Sequence, residues 1–231
     1  MKNSTELLKN KITCIIPAAG MGTRFNSKTP KQYLTIKGKS VLEHSITPFL
    51  YSENIDEIII AIAPNDHYFE QSPIKTYPKV KYVIGGTERS DSVFNALKAT
   101  QASHHSIIVH DAARPCITIQ EINALLAYQH HQEGAILALP IRDTIKQVSS
   151  YNTIENTVPR EKLWLALTPQ LFPKKLLYNA LLYCHQHKIH ITDEASAVEK
   201  LNISPKVVVG NSTNIKLTYK NDLHFIHSLI Q

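Results

Sequence analysis

Residues 14–34 read CIIPAAGMGTRFNSKTPKQYL, and the turn at their centre decides how the rest of the chain is read. An apolar run ends in Pro17-Ala18-Ala19-Gly20-Met21-Gly22, and two cations follow, Arg24 and Lys31. A glycine-rich turn leaving a buried strand is a phosphate-binding device, and three versions of it compete. The dinucleotide fingerprint needs a third glycine where Phe25 stands and an acidic residue about 20 positions later, and neither is present. A Walker A loop ending at Gly38-Lys39-Ser40 would need its first glycine at position 33, which is Tyr33. The third version is a loop whose backbone N–H groups cradle a triphosphate. Ala18, Ala19, Gly20 and Gly22 leave room for a nucleotide to approach the main chain, Arg24 offers a planar fork, and Lys31 a point charge. The plainer alternative is a tight strand exit with two surface cations.

Outward from that loop, apolar runs alternate with helical spacings. ITCIIPA reads as a strand, SVLEHSITPFL as a helix with Ser40 as N-cap, IDEIIIAIAP and VKYVIGG as strands, and RSDSVFNALKAT as a helix. SIIVHDA, IQEINALLAYQHH and GAILALPI continue the alternation. This predicts a single α/β domain over residues 1–231, Rossmann-like and doubly wound, with a mostly parallel sheet. Between 142 and 163 the pattern lapses around SSYNT, which predicts a projecting β-hairpin or arm. Helices are expected over PKKLLYNALLYCHQH, opened by Pro173, over TDEASAVEKLN, opened near Thr192, and over YKNDLHFIHSLIQ. Short strands are expected at KVVVG and NIKLT.

Bulk composition bounds the function. Of 231 residues, 43% are hydrophobic and 19% charged, ordinary for a globular protein with a real core. No window approaches the roughly 20 apolar residues of a membrane span, and MKNSTELLKNK has no apolar signal core. Cys14, Cys116 and Cys184 lie far apart without a CxxC pair, which suits a reducing cytoplasm. The net charge of +6 suggests anionic partners. Its cations are spread along the chain, so a small polyanion is expected rather than nucleic acid. In CHQHKIH, Cys184 to His190, the residue types are metal-like, but His185 and His187 point to different sides of a helix, and no metal site is expected there. His104-His105 and His130-His131 read as helix-terminal surface pairs.

PAAGMGTRFNSKTPKQY resembles the signature loop of cytidylyltransferases acting on polyol phosphates. The branch it most resembles uses 2-C-methyl-D-erythritol 4-phosphate in the non-mevalonate isoprenoid pathway. GGTERSDSV, VHDAARPC, PIRDTIK, VPREKLWLALTPQLF, ITDEASAVE and NIKLT follow in the family's order from Gly85 to Thr218. Relatives that use ribitol 5-phosphate tend to read HDAVRP and TDA where this chain has HDAARP and TDEAS. The resemblance implies transfer of CMP from CTP, with Mg²⁺ carried on the triphosphate and no resident metal site. A non-catalytic nucleotide- or RNA-binding module is the alternative of another class, and the intact set of Arg24, Lys31, Arg160 and Lys216 speaks against it. By resemblance, Arg24 and Lys31 stabilise the charged phosphorus, and Arg160 and Lys216 grip the sugar phosphate. Ala18, Ala19, Gly20, Gly22, Gly86, Ser92, Asp111 and Ala112 are expected around CTP. Asp111, Arg114, Thr144, Thr168 and Thr192 are expected around the sugar phosphate. Arg89 either serves substrate or braces loops through a salt bridge, and Thr192 reads as a helix N-cap. Asp193 and Glu194 suit a helix N-terminus by position alone. The family also implies a homodimer in which Thr144 and Arg160 reach the neighbouring subunit's site.

Overall fold

Strand β1, Ile12–Pro17, alternates its side chains as a strand buried on both faces must. Ile12, Cys14 and Ile16 join one hydrophobic cluster and Ile15 another. The computed structural model describes residues 11–20, 25 and 29–230. Parallel to β1 lie β4, Ile55–Ile62, on one side and β6, Ser106–Val109, on the other. Beyond β4 runs β5, Val80–Ile84. On the opposite flank come β7, Ala135–Pro140, and β11, Lys206–Val209, parallel to each other. Between β6 and β7 runs β10, Trp164–Pro173, antiparallel to both. The seven-stranded order is β11-β7-β10-β6-β1-β4-β5. The strand before Pro173 escaped the sequence reading, because a proline in an apolar run argues against a central strand. The register shifts between Ala166 and Gln170, so Pro169 sits in a bulge and needs no ladder hydrogen bond.

Helices cover both faces. α1, Val41–Tyr51, and α4, Ile119–Leu126, bury Leu42, Ile46, Phe49, Ile122 and Leu125 against one face. α3, Arg89–Lys98, α5, Lys174–Gln186, and α6, Glu194–Glu199, cover the other through Val93, Leu97, Leu177, Ala180 and Val198. Ser40 caps α1 by accepting from the Glu43 N–H, as expected. The short elements are α2, His67–Glu70, and the ribbon of β2, Thr35–Ile36, with β3, Lys39–Ser40. The irregular stretch at 142–163 holds the hairpin β8, Ile145–Val148, with β9, Ile154–Val158. The chain closes with α7, Asp222–Leu229. Among the described residues, no helix is long and apolar enough to cross a membrane.

Three expectations are overturned. NIKLT is not a strand: Asn214–Thr218 is an extended loop tied to its neighbour by the Leu217 N–H donating to the Ala113 carbonyl at 2.8 Å. α6 is capped by Asp193, not Thr192, because the Asp193 carboxylate accepts from the Ser196 N–H at 2.9 Å. His104 is not a surface residue. It is 2% exposed at the end of the sheet that carries the amino ends of β1 and β6. There the Thr13 hydroxyl donates to Glu57 and accepts from His104 Nδ1–H, while Lys81 pairs with Glu57 at 2.6 Å.

Burial lowers the His104 pKa below its ordinary value despite the nearby Glu57. A histidine whose folded pKa is depressed contributes stability above its unfolded value of about 6.5 and loses it as pH falls through and below that value. The expected outcome is a melting temperature that drops between pH 7 and pH 5. In His104→Gln that drop is smaller, while the midpoint at pH 7 is itself lowered. A His104→Gln curve parallel to the wild type would contradict this assignment.

Candidate functional site

The carboxyl ends of β1 and β6 form the switch point of the sheet, because the chain leaves β1 toward β4 but reaches β6 on the other side. Ligands of open α/β sheets bind in that crevice. A cleft of about 250 Å³ opens there, lined by Ala18, Ala19 and Gly20 after β1, Gly86 after β5, Ser92 on α3, Asp111 and Ala112 after β6, and Lys31 and Lys216. Beside it lies a second recess of about 200 Å³, walled by Thr168, Gln170, Thr192 and Arg114. Arg89, Asp111 and Lys216 line both.

The floor is shaped by small residues. A Cβ on Gly85 would lie 2.6 Å from both the Ala19 Cβ and the Ser92 hydroxyl, and one on Gly86 would lie 2.2 Å from the Asp91 Cβ. The exit loops of β1 and β5 therefore touch, and only glycine allows it. Ser92 Oγ accepts from the Gly86 N–H at 3.1 Å and so fixes the β5 exit. Gln32 fixes the β1 exit, since its side-chain amide donates to the carbonyls of Ala18 (2.8 Å) and Gly20 (3.1 Å). Gln32 had no role in the sequence reading. Its signal was its place in KQY, two residues past Pro30, which opens the single turn Lys31–Tyr33.

The shared wall is ionic. Asp111, 6% exposed, accepts from Arg89 Nε at 3.0 Å and from Lys216 Nζ at 2.8 Å, and Arg114 Nε stands at 3.5 Å. Burial alone would push the Asp111 carboxyl up, but Arg89, Lys216 and Arg114 together hold it well below the usual carboxylate range. Arg89 also grips the fully buried Glu194 with both terminal nitrogens, at 2.6 and 3.1 Å. Burial works against the Arg89 charge, yet the two carboxylates raise its pKa above the ordinary value. Arg89 thus braces the loops through two carboxylates while lining both recesses, and Glu194, at the first position of α6, is its anchor as well as a helix-end charge. Lys31 donates to the Leu217 carbonyl at 2.6 Å, which ties it to the loop that carries Lys216. Where the two recesses meet, Arg89, Arg114 and Lys216 face Asp111 and Glu194, while Glu88 and Asp193 line the outer parts of the first and second recess. Such a wall is suited to anions, phosphates above all.

The remaining sequence-derived residues divide. Ala18, Ala19, Gly20, Gly86, Ser92, Asp111, Ala112, Lys31 and Lys216 converge on the first cleft. Arg114, Thr168 and Thr192 reach the second. Arg114 is also tied inward, donating to the Asn214 carbonyl at 2.7 Å. Gly22 and Arg24 lie outside the described residues. Thr144 and Arg160 line neither recess: both are exposed at the base of the arm, where Arg160 donates to the Arg142 carbonyl.

The family model described as "2-C-methyl-D-erythritol 4-phosphate cytidylyltransferase" (IspD) matches residues 12–231. The chain belongs to that family. It is 46% identical over 220 residues to the protein of that name from Pseudoalteromonas atlantica, covering 95% of each chain. With the Mannheimia succiniciproducens protein of the same name it shares 45% over 212 residues, covering 92% of each. The crystal structure of the Francisella tularensis enzyme superposes with a TM-score of 0.83 at 35% identity, over 95% of this chain and all of that one. That of the Thermus thermophilus enzyme gives 0.80 at 28%, over 95% and 98%. In this IspD family member the mixed α/β fold with its large, mostly parallel sheet is therefore the fold of its solved relatives.

The packing at Gly85 makes a direct prediction. Gly85→Ala forces Ala19 and Ser92 apart, with a loss of about 1–3 kcal/mol of stability, as for other overpacked sites. It also weakens nucleotide retention measured by calorimetry. A methyl on Gly20, by contrast, meets nothing within 4 Å, so Gly20→Ala leaves the melting temperature near that of the wild type. Equal melting temperatures for both variants would refute the close approach.

Proposed function

We propose that this protein transfers CMP from CTP to 2-C-methyl-D-erythritol 4-phosphate, releasing pyrophosphate, as a step of non-mevalonate isoprenoid synthesis. The observation that carries the reading is the pair of adjoining recesses with one cationic wall in common. A group-transfer enzyme needs donor and acceptor side by side, with the positive charge where they meet. The names of the relatives supply the identity of the two substrates.

A phosphate oxygen of the acceptor attacks the α-phosphorus of CTP, the bond to the β-phosphate's bridging oxygen breaks, and pyrophosphate leaves with that electron pair. The nucleophile is already an anion, so no side chain has to take a proton. The chain's work is orientation and electrostatics. The Ala18–Gly20 backbone and Gly86 receive the nucleotide in a slot too narrow for bulky side chains. Lys31 and Lys216 stand where charge builds on the α-phosphate, and Arg24, by its place in the motif, serves the same oxygens. Asp111 holds Lys216 in place until phosphate arrives. Mg²⁺ would come in with CTP, held through the phosphates and water rather than by Asp111, whose carboxylate is taken up by Arg89 and Lys216. The ion supplies charge neutralisation on the phosphates it rides on.

A homodimer completes this reading. The arm exposes Val148, Tyr151 and Ile154, and Trp164 and Leu165 are exposed where the chain leaves it for β10; a lone hairpin with such a face is marginal in water. Thr144 and Arg160 at its base then act in the neighbouring subunit, where Arg160 meets the acceptor phosphate. The cytoplasm is the compartment that suits three unpaired cysteines.

Pyrophosphate release with Mg²⁺ tests the chemistry. Turnover is expected with CTP and methylerythritol phosphate, not with UTP, ATP or GTP, and Lys216→Ala lowers kcat by about 100-fold or more. Turnover with ribitol 5-phosphate instead would move the enzyme to another pathway. No turnover, together with CTP-insensitive and salt-sensitive retention on RNA, would leave a binding module.

Subunit sharing has its own test. Arg160→Ala and Lys216→Ala chains are each nearly inactive alone. Unfolded together and refolded as mixed dimers, they recover about a quarter of wild-type activity, because half of the dimers carry one intact site. No recovery from verified mixed dimers would place Arg160 and Lys216 in the same chain's site or remove Arg160 from it.

A further inference from the structure

His110 touches neither recess, yet it is wholly buried between β6 and Asp111 and belongs to no role derived above. Its ring is held on every side. The backbone N–H donates to the Ile15 carbonyl at 2.9 Å, and the ring packs on Phe49 with centroids 5.1 Å apart. Nε2 lies 3.2 Å from the Arg114 carbonyl oxygen, which only accepts, so Nε2 carries the proton. Nδ1 lies 3.1 Å from the Thr168 hydroxyl. That hydroxyl accepts from the Asp111 N–H at 3.0 Å, and because the neutral ring carries its proton on Nε2, Nδ1 is an acceptor and takes the hydroxyl proton. The chain of donors runs one way: Asp111 N–H to Thr168, Thr168 to His110, His110 to the Arg114 carbonyl.

We propose that His110 is a positioning residue for cytidylyl transfer. As the neutral Nε2–H tautomer it orients the Thr168 hydroxyl, and through it the backbone of Asp111. It also holds the Arg114 end of the same loop, so that the Asp111 carboxylate presents Lys216 and Arg89 to the shared wall of the two recesses. The inference rests on the function proposed above and deepens it by assigning the geometry of the wall to a residue outside it.

Three features of the site support it. The Asp111–Arg114 loop is pinned at both ends by one ring, at the Asp111 N–H through Thr168 and at the Arg114 carbonyl directly. The Thr168 backbone is fixed as well, its carbonyl accepting from the Asn214 side chain at 2.9 Å, so the hydroxyl has little freedom except in the direction of its proton. The ring also keeps its tautomer. Burial lowers the His110 pKa to about 4, against the opposing pull of Asp111, so it stays neutral at physiological pH. Protonated, Nδ1 would become a second donor facing the hydroxyl, and the one-way chain would be broken. By this account the second recess meets a Thr168 hydroxyl already spent on Asp111 and His110. Its contribution to an acceptor molecule is then to shape the wall.

Two substitutions separate the two ends of the ring. His110→Asn keeps an acceptor near the Nδ1 position and loses the bond to Arg114, whereas His110→Gln keeps a donor near Nε2 and leaves Thr168 without its acceptor. The expected result is a fall of about tenfold in kcat for His110→Gln and a smaller fall of about threefold for His110→Asn, the size of one or part of one buried hydrogen bond. The KM for CTP is nearly unchanged in both. A purely structural histidine would lower the melting temperature of both variants and leave kcat per folded site intact. In a double-mutant cycle, His110→Gln added to Thr168→Val costs no further kcat, because the path it interrupts is already gone. Independent multiplication of the two effects would overturn the proposal, as would full kcat in folded His110→Gln.

The tautomer is read separately, in the unmodified protein, by ¹⁵N NMR of the histidine rings. One ring is expected to remain Nε2-protonated without titrating from pH 5.5 to 8, and to be absent from the spectrum of His110→Asn. A titrating or Nδ1-protonated ring, assigned to His110 by through-bond correlation to its own backbone, would overturn the proposal even if every variant failed to fold. If wild-type turnover with CTP were absent, the function proposed above would fail while this spectrum still judged the geometry.

Discussion

The site depends on a carboxylate that has been taken out of water. Leaving Asp111 buried and ionised costs several kcal/mol unless cations and hydrogen bonds answer it. The cations come from three places in the chain: Arg89 from the start of α3, Arg114 from the loop after β6, and Lys216 from the segment before α7. Arg114 is only three residues from Asp111, but no short-range preference brings Arg89 or Lys216 to it. They meet because the sheet places the ends of β5 and β6 within reach, and because the Asn214–Leu217 loop is strapped to Ala113 and Arg114. Glu194 extends the network to α6 by holding the far side of Arg89. Removing Arg89 would leave the buried Glu194 without its cation and Asp111 with one partner fewer, so the wall is a coupled unit rather than a sum of pairs.

A second constraint is steric, and it faces the first across the cleft. The β1 and β5 exits are close enough that a methyl at Gly85 has nowhere to go. Gln32 and Ser92 then fix these loops by bonding their backbone groups, leaving the slot lined by main chain and small side chains. Charge on one side and bare backbone on the other make a cleft that is selective for shape at one end and for phosphate at the other. Because β1 and β6 are adjacent strands from which the sheet grows in opposite directions, both features lie at the switch point without any insertion to build them.

Much of this was legible in the sequence, and the reasons for the exceptions are physical. The parallel strands are apolar runs bounded by turns, and α1 announces itself by Ser40, so periodicity and capping chemistry found them. β10 was hidden by Pro169, whose place in a bulge only the neighbouring strands reveal. NIKLT has strand composition but no strand partner, and the pairing that defines a strand is not a local property. Thr192 and Asp193 are both good caps, and one residue of register decided between them. The site's small residues and cations were read through a family resemblance, since a glycine and a lysine carry no signature of their own. What composition left open was the use of Arg89, Glu194, Gln32 and His110. Their partners lie between 4 and 105 residues away, and pairing at that range follows from the fold alone.

The wall is also built before any ligand arrives, which bears on how it would serve a transfer reaction. A free lysine or arginine gives up about 2 kcal/mol of rotamer freedom when a ligand fixes it. Here Arg89 is already held by two carboxylates and Lys216 by one, with Lys31 tied to the carbonyl next to it. The ordering has been done by folding, so an incoming phosphate meets donors in position and gains from them without that loss. The opposing cost is that Asp111 competes with the phosphate for Lys216. That competition is weakest for the most highly charged anion, and the bond arrangement at phosphorus that carries the most charge is the one passed through during transfer. A wall pre-set by its own carboxylate therefore discriminates in favour of the transition state over a weakly charged ground-state ligand, which is the condition under which binding energy accelerates a reaction.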